Sequence, residues 1–147
     1  MADRTEGVGL SAEERAAMKE YAEERKKSVR RGGKATAADG EKDLLEKIAA
    51  MSEPDRSMAT RVHELVKQAV PELESKTWYG MPAYAKNGQT ICFFQSAAKF
   101  KSRFATLGFS DKAQLDDGDL WPVYYAVQQL TPAVEQRIVE LVRRAVG

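Results

Sequence analysis

The sequence predicts an α+β domain, a two-layer sandwich in which helices precede and follow an antiparallel sheet and lie over one of its faces. Three observations lead there. Apolar residues recur at helical spacing over 44–70 and again over 134–145. Between 82 and 128 the apolar period shortens toward two, the spacing of strands. Asn87-Gly88 separates two such runs, and this dipeptide favours the type I′ turn of a tight hairpin, because both its residues tolerate positive φ. A chain of 147 residues matches one domain and buries roughly two-thirds of its unfolded surface without a disulfide or metal.

Taken in order, Ser11 and Glu14 make a capping-box pattern, and Glu13 and Glu14 suit a helix start. Arg25, Lys26, Lys27, Arg30 and Arg31 suit its end, with Gly32-Gly33 as the stop. The stripe between them, Ala17, Met18, Tyr21 and Ala22, is thin. Residues 11–31 therefore read as a peripheral helix and 32–40 as a flexible linker, so that 1–39 stand apart from a domain of 40–147. A short amphipathic helix carrying Leu44, Leu45, Ile48 and Met51 opens that domain. Ser52, Pro54 and Asp55 start another, whose stripe is Met58, Val62, Leu65, Val66, Ala69 and Val70, and Pro71 ends it.

The hairpin pairs a strand of 82–86 with one of 89–95, setting Tyr84 opposite Ile91 and Ala83 opposite Cys92. Further strands are expected at 100–107 and 121–128, with a polar, turn-rich stretch over 110–119. Thr131 and Pro132 begin the last helix as N-cap and first helical residue, and Val134, Ile138, Leu141, Val142 and Ala145 form its apolar face. The sheet face away from the helices is expected to be solvated.

Lys and Arg number 23 against 22 acids, a formal net charge of +1. That balance argues against a dedicated nucleic-acid binder unless positive charge gathers on one face. Residues 1–6 hold no apolar stretch resembling a signal peptide, and no window is long and apolar enough for a bilayer, so a cytoplasmic location is expected. The single cysteine, Cys92, lies between Ile91 and Phe93 and reads as a buried thiol. The single histidine, His63, reads as a side chain at the solvent boundary of its helix. Gly7-Val8-Gly9 has no strand before it, no nucleophile elbow is present, and no Cys/His cluster has zinc spacing. No recognisable enzyme active site is expected.

Three local features could carry function. On a strand, Lys99, Lys101 and Arg103 would share one face while Phe100, Ser102 and Phe104 take the other. Such cations could hold an anionic ligand, although a solvated sheet face is the simpler reading. The acids Asp111, Asp116, Asp117 and Asp119 offer oxygen ligands of the kind hard cations take, with Asp116, Asp117 and Asp119 the closest-spaced. They match no calcium-loop spacing, and a solvated loop is the simpler reading. The segment 76–84 is rich in aromatics, and Gly80 and Pro82 bend it, so that some of its rings could line a groove, with core packing the default for Trp78.

The run Trp78-Tyr79-Gly80-Met81-Pro82-Ala83-Tyr84, followed by a hairpin, a strand rich in Phe and a final amphipathic helix, resembles the YdhG-like family over about 40–146. Most members of that family are a domain of unknown function, and some are described as frataxin-like intracellular iron chaperones. The resemblance implies a frataxin-like two-layer α+β sandwich. It also implies weak binding of ferrous iron through exposed acids, with delivery to iron–sulfur or haem assembly proteins. No acidic motif of the family carries over to particular positions here. The alternative is a small-ligand or protein-partner binding module without a metal role, using Trp78, Tyr79, Met81, Pro82, Tyr84, Lys99, Lys101 and Arg103. Shared family does not by itself establish shared function.

Overall fold

The computed structural model describes residues 10–30 and 36–147. Residues 1–9, with Gly7-Val8-Gly9, and residues 31–35, with Arg31, the stop at Gly32-Gly33 and the first part of the expected linker, lie outside the described residues. Among the described residues the elements are α1 (Ala12–Arg30), α2 (Ala37–Ala49), α3 (Asp55–Ala69), β1 (Glu74–Trp78), β2 (Met81–Lys86), β3 (Gln89–Gln95), β4 (Ala105–Phe109), β5 (Tyr124–Val127) and α4 (Pro132–Val146). The five strands form one antiparallel sheet in chain order. The fold is α+β, as the periodicities imply.

Helix starts follow from local chemistry. Ser11 Oγ accepts from the Glu14 N–H at 3.0 Å and the Glu14 carboxylate accepts from the Ser11 N–H at 2.8 Å, the reciprocal box expected before α1. The expected linker ends before residue 40, because Thr36 and Asp39 form a second box, each bond 3.1 Å, that starts α2 at Ala37. Gly40 belongs to the first turn of α2 and sits on β1, where an added Cβ would stand 2.1 Å from the Ser75 carbonyl oxygen. Its glycine serves close packing of helix on strand, not linker flexibility. Ser52 does not cap α3; Pro54 holds the N-cap position, and the Glu53 carboxylate accepts from the Ser57 N–H at 3.0 Å. Thr131 caps α4 through the Val134 N–H at 3.2 Å, with Pro132 in its first turn.

Asn87 and Gly88 both carry positive φ, 52° and 77°, as the hairpin reading requires. Its register differs from the sequence expectation. A bulge between Tyr84 and Ala85 absorbs a residue, so that Tyr84 faces Cys92 and Ala83 faces Phe93. The strand expected at 100–107 begins only at Ala105, and the one expected at 121–128 spans Tyr124–Val127. Strand β1, which the sequence did not suggest, pairs Ser75 with Tyr84 and Trp78 with Met81.

One sheet face meets α2, α3 and α4. There Leu44, Ile48, Val62, Leu65, Val66, Ile138, Leu141 and Val142 close over Tyr84, Cys92, Phe94, Leu107 and Phe109. Leu45, expected on the α2 stripe, is exposed instead. Arg61 joins α3 to α4 by two bonds of 2.9 Å to the Glu135 carboxylate. The opposite face is not simply solvated. Met81, Ala83 and Phe93 are buried there in a second cluster, with Trp78, Tyr79 and Phe100 packed against it. Helix α1 runs beside α2 at the β1 edge of the sheet and contributes nothing to the main core. No described helix is long and apolar enough to cross a membrane.

Candidate functional site

Tyr79 and Gly80 join β1 to β2, both with positive φ, 53° and 78°. Turns of this kind can direct successive N–H groups at one point and so form an anion-binding concavity. Here the occupant is the carboxylate of Glu24 on α1. One of its oxygens accepts from the Tyr79 N–H at 3.1 Å and the other from the Gly80 N–H at 2.8 Å.

A second carboxylate of the same helix is held one turn away. Glu20 accepts from Lys47 of α2 at 2.8 Å and also from Lys99, which in addition donates to the Tyr79 carbonyl at 3.3 Å. Burial of the Glu20 carboxyl would raise its pKa, but the hydrogen bonds and charges of Lys47 and Lys99 outweigh this and hold it below the usual carboxylate range. Between the two acids, the Tyr21 ring lies flat on Tyr79, with centroids 4.4 Å apart and planes 12° apart. The aromatic contacts continue across the sheet: Tyr79 meets Trp78 edge-on at 5.0 Å, Trp78 meets Phe93 at 5.3 Å, and Phe93 meets Tyr124 at 6.0 Å.

Lys99 reaches this place because the chain turns before β4. The buried Asp55 carboxylate, at the start of α3, accepts from the N–H groups of Ala97 and Ala98 at 3.2 and 2.9 Å. The Ala98 and Ala97 carbonyls then accept from Lys101 and Ser102, and Lys101 adopts a φ of 54°. Consequently Lys99, Lys101 and Arg103 do not share a strand face, contrary to the sequence expectation. Their alternation with Phe100, Ser102 and Phe104 mimics a strand, but the Lys101 and Ser102 N–H groups that a ladder would use are turned back onto the Ala98 and Ala97 carbonyls. Lys101 pairs with Glu13 at 3.1 Å, and exposed Arg103 lies 5.2 Å over the Phe104 ring.

Of the residues singled out from the sequence, the structure thus gathers Trp78, Tyr79, Met81 and Lys99, with Lys101 at the far end of α1. Tyr84 is buried in the main core away from this surface, whereas Pro82, also buried, lines the pocket beside Met81 and Lys99. A cleft of about 610 Å³ runs between α1, α2 and β1, lined among others by Tyr21, Glu24, Lys47 and Trp78. A neighbouring pocket of about 400 Å³ is lined by Glu20, Lys47, Asp55, Met81 and Lys99. The sequence reading missed Glu20, Glu24, Lys47 and Asp55, whose partners lie 27 to 79 positions away. The one local signal was the spacing of Glu20 and Glu24, one helical turn apart.

His63 is buried rather than at the solvent boundary. Its Nδ1 lies 2.9 Å from the Tyr84 hydroxyl and its Nε2 3.0 Å from the Glu41 carboxylate, a relay that ties α3 to β2 and α2. Burial would raise the Glu41 carboxyl, but the hydrogen bond from His63, the nearby Ser75 hydroxyl and the charges of His63 and Lys67 leave it lowered. The buried Ser75 hydroxyl is close enough to contribute to that lowering while making no fully formed hydrogen bond of its own. Burial, then the charges of Cys92 and Glu41, raise the Tyr84 hydroxyl well above its ordinary value. Cys92 is fully buried and its thiol is pushed up to about 12 by that burial, so it is an inert core side chain.

Asp111, Asp116, Asp117 and Asp119 are exposed in the segment before β5. Among the described residues no three His, Cys, Asp or Glu side chains converge so as to hold a metal ion. Comparison with protein-family models, with curated proteins and with solved structures finds no match.

Proposed function

We propose that this chain is a binding module that recognises a carboxylate-bearing partner at the Tyr79-Gly80 turn and the Lys47–Lys99 pair, with no metal role. One observation carries the reading: two carboxylates of α1 are each held there by two donors, one by backbone N–H groups and one by lysines. Charge-assisted bonds of this kind are stronger than neutral ones and impose geometry. Each is partly exposed, so the surface works through their arrangement and not through any single pair.

If the chain has the iron-chaperone function implied by the YdhG-like resemblance, the spacing of Asp116, Asp117 and Asp119, and no family motif, makes them the local candidate for ferrous iron, with iron-cluster assembly proteins as partners. No further ligand gathers at these acids among the described residues, whereas the β1–β2 turn already holds one carboxylate and the Lys47–Lys99 pair another. The binding-module reading therefore stands first.

The test uses the full chain carrying Glu20→Ala and Glu24→Ala, which empties the site. Titration with an oligoglutamate peptide should shift the amide resonances of Tyr79, Gly80 and Lys99, and the response should fade as salt rises. An oligolysine peptide of equal length should leave them in place. Equal responses to both peptides, or no response at these amides, would contradict the reading.

A further inference from the structure

We infer that the partner taken at this surface is a helix presenting the carboxylate-bearing pattern Glu-Tyr-x-x-Glu on one face, and that α1 is a resident copy of that ligand. The inference rests on the binding-module reading and specifies its partner. Three contacts of α1 come from one face of the helix: Glu20 on Lys47 and Lys99, Tyr21 flat on Tyr79, and Glu24 on the Tyr79 and Gly80 N–H groups. Residues at i, i+1 and i+4 span a little over a quarter of a helical circumference, so only a helix delivers all three together. The flanks fix its direction. Glu13 near the N-terminus pairs with Lys101, and Lys27 near the C-terminus pairs with Asp43 of α2 at 3.1 Å.

A second observation concerns how α1 is held. Ala17 is its one buried residue, and Met18 and Val29 are 49% and 76% exposed. Charge and one ring stack, not apolar burial, keep it seated. A helix seated in this way can exchange with another of the same pattern. As a tethered competitor it acts at an effective concentration on the order of mM, which lowers the apparent affinity for any helix in trans.

A labelled peptide of the Ala12–Arg30 sequence tests this, alongside a scrambled peptide of identical composition. Fluorescence anisotropy is read against the wild-type chain, against Glu20→Ala/Glu24→Ala, and against that variant with Lys47→Ala and Lys99→Ala added. Tyr21→Ala, which removes the stack but no charge, gives a second opened variant, and thermal melts confirm that each chain is folded. The native-order peptide should bind the opened variants roughly tenfold or more tighter than wild type. The scrambled peptide should bind roughly tenfold more weakly than the native one, and loss of the two lysines should abolish the gain. Equal binding of native and scrambled peptides would overturn the helical pattern while leaving carboxylate recognition standing. Equal binding to wild-type and opened chains would overturn α1 as the resident occupant. Failure of both these peptides and oligoglutamate would remove the binding-module reading itself.

Discussion

Single positions in this molecule are decided by distant partners. Gly40 looks in sequence like part of a flexible stretch, yet it is the point where α2 rests on the β1 backbone. Replacing it by Ala should destabilise the chain by about 1–3 kcal/mol, because the atom in the way is a backbone carbonyl that cannot rotate aside. Chemical denaturation of Gly40→Ala checks this, and an unchanged midpoint would mean that α2 and β1 part readily. His63 is a parallel case. Neither Tyr84 nor Glu41 lies near it in sequence, so its burial was not legible from the helix pattern alone. The lowered Glu41 pKa has a consequence with a definite sign. Stability from the Glu41–His63 contact is present above the ordinary carboxylate value of 4.5 and is lost as pH falls through the depressed folded value. Glu41→Gln should therefore flatten the acid limb of a stability profile measured from urea midpoints below about pH 4.5. An acid limb identical to wild type would show that the contact contributes nothing in solution.

At the scale of elements, apolar period was a reliable guide where one face of a helix meets the core. The stripes of α3 and α4 hold their expected residues, and the helix starts at Ser11 and Thr131 follow the capping chemistry. The guide failed in two instructive places. β1 carries Ser75 and Thr77 where an apolar alternation was sought, so it left no hydrophobic signal; its partner β2 defines it. The run 99–104 has a strand's alternation, but its Lys101 and Ser102 N–H groups bond back to the Ala98 and Ala97 carbonyls, in a turn that Asp55 anchors at the Ala97 and Ala98 N–H groups. Asp55→Ala should therefore loosen the 96–104 loop and shift Lys99 away from Glu20. Removing a buried, doubly bonded carboxylate leaves two N–H groups unsatisfied, at a cost of roughly 1–3 kcal/mol for each such group. Altered amide resonances at Ala97 and Ala98, with an intact melt of the remaining domain, would bear this out. Unaltered resonances would contradict it.

Over the whole molecule, the main core is complete without α1. It unites α2, α3, α4 and one face of the sheet, and no α1 residue enters it. The smaller cluster on the other sheet face, with its partly buried Trp78 and Tyr79, is where α1 makes its aromatic contact. A chain beginning at Arg31 should thus keep a cooperative thermal transition, and loss of that transition would show that α1 completes the fold. The candidate site was only half legible for the same reason. The turn and Lys99 lie in segments that sequence composition singled out, but the acids that fill the site come from a helix whose sparse apolar stripe marked it as peripheral.

Hydrogen exchange at the Tyr79 and Gly80 amides tests most directly the central claim, that α1 is seated by its Glu24 carboxylate on the β1–β2 turn. In the wild type both amides donate to Glu24 and should exchange slowly for a turn. In Glu24→Ala both should lose protection together, while core amides such as those of Cys92 and Phe94 keep theirs. Unchanged protection at Tyr79 and Gly80 in that variant would contradict it.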